Sequence, residues 1–476
     1  MTEQMLIGVT LLYPEMILIG AALLMLLIAR RIRGTRIGLG LTVTAGIAAA
    51  ISAASGLSAE TTTGFSGMIV QDAFSQFFEV LIAAALVLGA LLSYRKEPDE
   101  ERTPPEYYAL LLLATTGMLM AVSAIDLMTL YLGLELTTIC SYVLVGLRVE
   151  RPAANEAAIK YFLMGSFASA LLLFGISLIY GLTGTTELAA IAVALEGADA
   201  NPLLLVGLAL LSAGLAFKIS AVPFHSWAPD AYQGADSPVA AFMAAGPKAA
   251  GLAVMARVGL VAFQHQSEFM GLILVSIAAL SIVVGSLLSL SQTDMRRLLA
   301  YSAIAHAGYA LMGLAAGSPE GAAATMTYAF FYVFMTIGAF GVVVALGERG
   351  ETIEGFRGLS TQRPGLAAIT LLFLLALTGI PLTSGFTAKF GVILAAVRAD
   401  QLPLALLAVS CSVISAFVYM RIAVLMYMSD PAEDSSSTVS PGTSPALVHL
   451  ALGLAAAVTL VGGILPGILS EWTVFP

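Results

Sequence analysis

The sequence predicts an all-α polytopic membrane protein of about fourteen transmembrane helices. Three observations predict it. Hydrophobic residues make up 59% of the chain and charged residues 11%, against about 25% charged in a soluble globular protein. Mean hydropathy is +0.94. Apolar stretches of about 20 residues, each long enough to cross roughly 30 Å of hydrocarbon, recur along the chain.

The expected spans are 13–30, 37–56, 72–94, 106–123, 126–147, 156–181, 202–222, 237–262, 268–290, 298–316, 320–346, 366–392, 402–427 and 446–467. The first has no basic segment before it and no small-residue cleavage site after it, so it reads as a retained helix. No long soluble insertion interrupts the series, and residues 1–476 read as one membrane domain. The longest polar stretch, Ser429 to Pro445, is a Ser/Asp/Pro-rich loop before the last span.

Basic residues set the expected orientation, because cytoplasmic loops are enriched in Lys and Arg. Arg30, Arg31, Arg33 and Arg36 follow the first span, Arg95, Lys96 and Arg102 the third, and Arg148 and Arg151 the fifth. Arg296 and Arg297 follow the ninth, and Arg349, Arg357 and Arg363 the eleventh; all fall on one side. Loops 57–71 and 182–201 contain no Lys or Arg, and Arg398 is the clear cation opposite. Both termini are therefore expected on the outer side. The net charge of −9 is spread over loops, as at Glu97, Asp99, Glu100 and Glu101, and says nothing about nucleic acid.

Several chemistries have no sequence support. Cys140 and Cys411 are the only cysteines, too few for a disulfide framework or for an iron–sulfur or zinc site with its usual spacing. Neither a Walker sequence nor a Rossmann fingerprint is present. The chain has no redox centre of its own, so energy must come from an ion gradient or a partner.

Self-similarity refines the fold. Gly117, Ser123, Asp126 and Leu130 recur as Gly285, Ser291, Asp294 and Leu298 at a constant offset. That offset equals five spans, and an odd number of crossings makes the second copy run the opposite way, as in transporters with inverted repeats. A second correspondence couples a lysine to a helix break: AFKISAVPFHSW ends the seventh span and GIPLTSGFTAKF lies in the twelfth. Proline removes a backbone donor, and freed carbonyls are tolerated at membrane depth only beside protein or a wet cavity.

Glu135, Lys218, Lys248 and Lys389 are the candidates for moving protons. A charge near the bilayer centre costs about 2.5–3.5 kcal/mol on insertion scales, and such residues are functional by default. Glu135 has no base within two turns of its own helix, so its partner must come from another. A buried lysine disfavours its charged form, and a nearby carboxylate restores it; a Glu–Lys pair is thus a tunable proton holder. The three lysines have Glu135 as the one obvious intramembrane acid among them. Lys160 reads either as a snorkelling anchor or as an accessory conductor. His306 reads as a relay or as a satisfied core histidine, and His225 stands at the cytoplasmic mouth just past Pro223. Arg257 reads as an anchor at the outer end of its span.

The segments LGLELTTICSYVLVGL, LAFKISAVPFHSWAPDAYQGADSPVAAFMAAGPK, RRLLAYSAIAHAGYALMG and LTGIPLTSGFTAKFGV resemble the antiporter-like membrane subunits of respiratory complex I, over about residues 105–425. The length, the YQGADSP loop and the lysine of GIPLTSGFTAKF favour the N-type branch, and the end at Pro476 is expected to leave out the long lateral helix of the L-type. The resemblance implies two inverted five-helix repeats with broken helices. The expected division is a three-helix segment 1–104, repeats at 105–262 and 268–427, and a C-terminal helix 446–476. It also implies roles: Glu135 and Lys218 as the input pair, Lys248 as central relay, Lys389 as output lysine, with Lys160, His225 and His306 accessory. Quinone reduction elsewhere would drive the cycle. NAD, FMN, iron–sulfur clusters and quinone are expected in other subunits, with no cofactor on this chain. Membrane subunits are expected on both flanks, in a bacterial plasma membrane. Pro247 beside Lys248 departs from the family pattern and puts the local helix geometry in doubt. Two alternatives stand: a subunit of an Mrp-type cation/proton antiporter, and a structural scaffold whose buried ion pairs are inert.

Overall fold

The computed structural model describes residues 8–28, 35–55, 61–94, 104–197, 201–431 and 446–475. The basic clusters at 30–33 and 95–102, the acids at 97–101 and most of the Ser429–Pro445 loop lie outside the described residues.

Lipid offers no partner to a backbone amide, so each apolar stretch must satisfy its own hydrogen bonds as a helix. Helices α1 (Tyr13–Ile28), α2 (Thr35–Ala54) and α3 (Ala73–Leu92) lead the chain. They are followed by α4 (Pro105–Ser123), α5 (Leu127–Val145), α6 (Pro152–Thr183), the short α7 (Leu188–Ala194) and α8 (Pro202–Lys218). Next come α9 (Trp227–Gly234), α10 (Ser237–Arg257), α11 (Ser267–Ser289), α12 (Met295–Ala315) and α13 (Pro319–Leu346). The chain then forms α14 (Pro364–Thr378), α15 (Ser384–Arg398), α16 (Leu402–Met428) and α17 (Ala446–Ile464). Among the described residues, 11 helices are long and apolar enough to cross a membrane, and α1, α8 and α14 are shorter apolar helices. Together they account for every expected span.

One element was not expected. The loop before α3 folds into a two-stranded antiparallel hairpin, β1 (Thr62–Gly64) with β2 (Ile69–Gln71). It covers the residues just before α1, where the Gly64 backbone faces Gly8 and Leu11.

Helix starts are written in the sequence. Pro begins α4, α6, α8, α13 and α14, where its missing N–H is one that no helix would use. Asp72, Asp126 and Asp294 cap α3, α5 and α12 by accepting from their first-turn amides, each cap being worth about 1 kcal/mol.

The two halves repeat each other in detail. A Cβ at Gly117 would lie 2.6 Å from the Gly133 carbonyl and 2.7 Å from Thr137 N; one at Gly285 would lie 2.8 Å from the Tyr301 carbonyl and 2.5 Å from Ala305 N. These partners are related by the same sequence offset as the two glycines, so α4 crosses α5 as α11 crosses α12. The capping aspartates also sit in equivalent bridges, Asp126 with Glu187 and Asp294 with Thr352. Leu188 N donates to the Ile125 carbonyl at 3.0 Å, as Ile353 N does to that of Thr293.

The two Asp bridges lie at opposite ends of the bundle. The Asp294 end carries the loop arginines and is tied by ion pairs: Arg148 with Asp236 at 2.6 Å, Arg297 with Asp230 at 2.6 Å and Arg296 with Glu351 at 3.1 Å. This is the arginine-bearing face. The halves are therefore inverted copies, and each contains a broken helix: α8 breaks at residues 219–226 before α9, and α14 at 379–383 before α15.

Gly117→Ala should cost about 1–3 kcal/mol by overpacking the α4–α5 crossing, lowering the unfolding temperature in detergent. Gly20→Ala, at a position open to its surroundings, should leave it unchanged.

Candidate functional site

The first break places a lysine where helix α8 runs out of backbone donors. Lys218 is the last residue of α8, beside the unsatisfied carbonyls and the negative end of the helix dipole. Its Nζ donates to Glu135 Oε1 at 2.8 Å and to Thr138 Oγ1 at 2.7 Å. Glu135 also accepts from Ser169 on α6 at 2.5 Å. Three helices thus hold one acid–base pair, with the Lys218 side chain 6% exposed and that of Glu135 17%. The break is held by its neighbours: Trp227 Nε1 donates to the Phe217 carbonyl at 3.2 Å, and Val222 N to Ser281 Oγ at 2.9 Å.

From this pair the packing leads to the second lysine. A Cβ at Gly251 on α10 would touch Ile219 at 2.5 Å and the Lys218 Cβ at 3.8 Å; the absent side chain lets the end of α8 press against α10. Lys248 is one turn away on the same helix. It is 2% exposed, and its Nζ donates to the Ala303 carbonyl of α12 at 2.7 Å.

Helix α12 carries the line onward. Ala303, His306 and Tyr309 follow at steps of three residues, about 4.5 Å apart along the axis. His306 Nδ1 is 2.7 Å from the Tyr328 hydroxyl. Lys389 lies over the Tyr309 ring, its Nζ 4.5 Å from the centroid. Its Nζ donates to the carbonyls of Leu377 and Thr378 at 3.1 and 2.9 Å, which are the last residues of α14. Both broken helices therefore present a lysine ammonium position at the C-terminal end of their first half, although Lys218 precedes its break in sequence and Lys389 follows its own.

Pro247 does not interrupt α10. The carbonyl that it deprives of a donor is that of Met243, one turn earlier, and the Tyr232 hydroxyl of α9 donates to it at 3.5 Å. The helix stays continuous through Lys248.

Of the accessory candidates, His306 lies buried on α12, and Lys160 lies on the arginine-bearing face. Lys160 pairs with Glu156 at 2.8 Å and with Asp230 at 3.1 Å, so its ammonium is bridged to α9. Asp230 in turn accepts from Arg297. His225 is half-buried in the break between α8 and α9.

Two expectations need correction. Arg257 is no surface anchor: it is 3% exposed, and its Nη1 and Nη2 donate to both Asp72 oxygens at 2.8 and 3.0 Å. Its position near a span end concealed the fact that α3 packs over that end. Glu135 is also not the one acid buried among the spans, since Glu79 and Glu15 are 3% and 4% exposed. Glu79 carried the same signal as Glu135, an acid well inside span 72–94 with no base on its own helix. Ser169, which completes the Glu135 site, is a small residue among many on α6 and left no such mark.

Two related halves that run in opposite directions, each with a helix broken beside a buried lysine, define a transporter-type membrane protein. The chain belongs to the NADH:quinone oxidoreductase/Mrp antiporter transmembrane family, whose model matches residues 124–415. It is 41% identical over 444 residues to "NADH-quinone oxidoreductase subunit N 2" of Rhizobium meliloti, covering 92% of each chain. It is 43% identical to "NADH-quinone oxidoreductase subunit N" of Desulfovibrio desulfuricans, covering 86% of this chain and 85% of that one. Among solved structures, a chain of respiratory complex I from Thermus thermophilus superposes with a TM-score of 0.83 at 31% identity, over 96% of this chain and 98% of that one. A chain of the Mrp complex from Dietzia shares the fold, with a TM-score of 0.80 at 23% identity over 98% and 96%.

The ion pairs of α9 give a pH prediction. Burial opposes ionisation of Asp230, but hydrogen bonds from Arg297 and Lys160 outweigh it and hold the carboxyl below the ordinary aspartate range. A carboxyl held low contributes its stabilisation above the unfolded value, about 3.9, and loses it as the pH falls through the lower folded value. Hydrogen exchange over 227–234 should therefore quicken below about pH 4. Asp230→Asn should show faster exchange already at neutral pH, without that acid step.

Proposed function

We propose that this chain is the N-type proton-translocating membrane subunit of a NADH:quinone oxidoreductase, working in a bacterial plasma membrane with further membrane subunits on its flanks. Relatives of this name at about this identity over nearly the whole chain support the assignment to that complex. NAD, FMN, iron–sulfur clusters and quinone belong to other subunits in this reading, which supply the drive, and both termini face outward. The division into a three-helix segment 1–104, repeats 105–262 and 268–427 and a C-terminal helix is part of the same proposal.

The observation that supports the proton path is the succession of buried charges from the Glu135–Lys218 pair, past the Gly251 packing contact, to Lys248 and along α12 to Lys389. Glu135 holds the proton on Lys218 by its charge. Moving the carboxylate a few ångströms away removes that stabilisation, because Coulomb attraction in a low-dielectric interior falls steeply in absolute terms with distance. The proton then leaves Nζ for Lys248, whose carbonyl partner offers no counter-charge to hold it. His306, hydrogen-bonded to the Tyr328 hydroxyl, relays it toward Lys389. Lys160 and His225 serve entry at the arginine-bearing face.

Replacing Lys218, Lys248 or Lys389 by alanine should leave the complex assembled and reduce proton translocation per quinone reduced several-fold, measured in proteoliposomes. Full translocation in an assembled Lys218→Ala or Lys248→Ala complex would leave the buried charges as inert bridges. An unchanged proton-to-electron ratio in Lys389→Ala would remove that residue from the path.

A further inference from the structure

A second group of buried charges closes the end of the bundle opposite the arginine-bearing face, apart from the lysine line. Asp72 caps α3 by accepting from Ser75 N at 2.7 Å. It also receives both terminal nitrogens of Arg257, whose guanidinium lies 4.7 Å from the Phe74 ring centroid. That pair is complete. Two turns along α3 stands Glu79, and in the first turn of α1 stands Glu15, both more than nine-tenths buried. Both carboxyl oxygens of Glu15 and Oε2 of Glu79 have no hydrogen-bond partner among the described residues. The charged groups within electrostatic range of Glu79 are Glu15, Asp72 and Arg257.

Three carboxyls thus share one guanidinium, and that guanidinium is engaged by Asp72. Two further buried carboxylates without a counter-ion of their own would combine the desolvation of each with mutual repulsion. One proton on either carboxyl removes the repulsion and one of the two desolvation costs. We propose that Glu15 and Glu79 form a proton-binding carboxyl pair that holds one proton between α1 and α3, separate from the line of Glu135 and the lysines. Glu15 is the outer member, flanked by the exposed Tyr13 and Met16, and Glu79 the inner one.

Arg257 gives the pair a means of discharge. Its Nε has no partner, while Asp72 keeps its bonds from Ser75 if the guanidinium leaves. Rotation of Arg257 from Asp72 toward Glu79 would stabilise the Glu79 carboxylate. The proton passes from the Glu79 carboxyl to the Glu15 carboxylate and from there to solvent, with no change in electron count.

Infrared spectroscopy of the assembled membrane complex tests this through the protonated-carboxyl C=O band. The Glu15→Gln/Glu79→Gln double variant should lose one carboxyl's intensity at neutral pH relative to the unaltered complex. An unchanged band in an assembled double variant would overturn the proposal. Should that variant fail to assemble, the unaltered complex decides: a hydrophobic carbodiimide, which adds to protonated buried carboxyls, should label Glu15 or Glu79 in peptide mass maps, less so as the pH rises. Labelling of neither would overturn it. Neither readout depends on proton pumping through the lysines, so the proposal stands or falls apart from the proposed function.

Discussion

An ammonium group buried in the middle of a membrane protein needs an acceptor, and the rest of this fold is arranged around supplying one to each of three lysines. Lys218 has a carboxylate and a threonine hydroxyl. Lys248 has a helix carbonyl, and Lys389 has two carbonyls at the end of a half-helix and an aromatic face. A continuous helix has few carbonyls to spare, because each is committed to its own ladder. The break in α14 frees the two that hold Lys389, whereas Lys218 at the end of α8 takes a carboxylate and a hydroxyl from α5 and Lys248 a carbonyl of the unbroken α12.

The breaks in turn demand tight surroundings, since freed polar groups in lipid are costly. Neighbouring helices meet that demand. Ser281 of α11 accepts from Val222 N, Trp227 donates to Phe217, and Tyr232 donates to the carbonyl that Pro247 leaves without a donor. Close crossings at Gly117 and Gly285 hold the paired helices that flank each break in the same relative pose. The inverted repeat is therefore visible at three levels: the glycine crossings, the capping aspartates with their backbone bridges, and a lysine at each half-helix end. On the arginine-bearing face, Asp230 joins α6 to α12 through Lys160 and Arg297, so the two halves are also tied by charge.

Much of this was legible in the sequence for reasons that the structure makes plain. Lipid forces apolar runs into helices, so the spans could be read from hydropathy. Glu135 without a base on its own helix had to meet one from another, and proline marked both breaks. Carbonyl acceptors leave no mark in a sequence, so the partners of Lys248 and Lys389 were not foreseeable, nor was the rescue of Pro247 by Tyr232. Arg257 was misread because depth along a span does not say what packs over its end. Glu15 and Glu79 were passed over although Glu79 carried the signal that singled out Glu135. The small hairpin before α3 is too short to stand out from loop residues.

The central claim is that Lys218 gains and loses a proton under the control of Glu135. Nitrogen-15 NMR of the assembled complex with labelled lysine side chains reads this directly, with the Lys218 resonance assigned by its loss in Lys218→Arg. The account predicts two protonation states of Lys218 whose populations change between the complex arrested before and after quinone reduction, and a loss of that change in Glu135→Gln. A Lys218 that holds one state throughout turnover would contradict it.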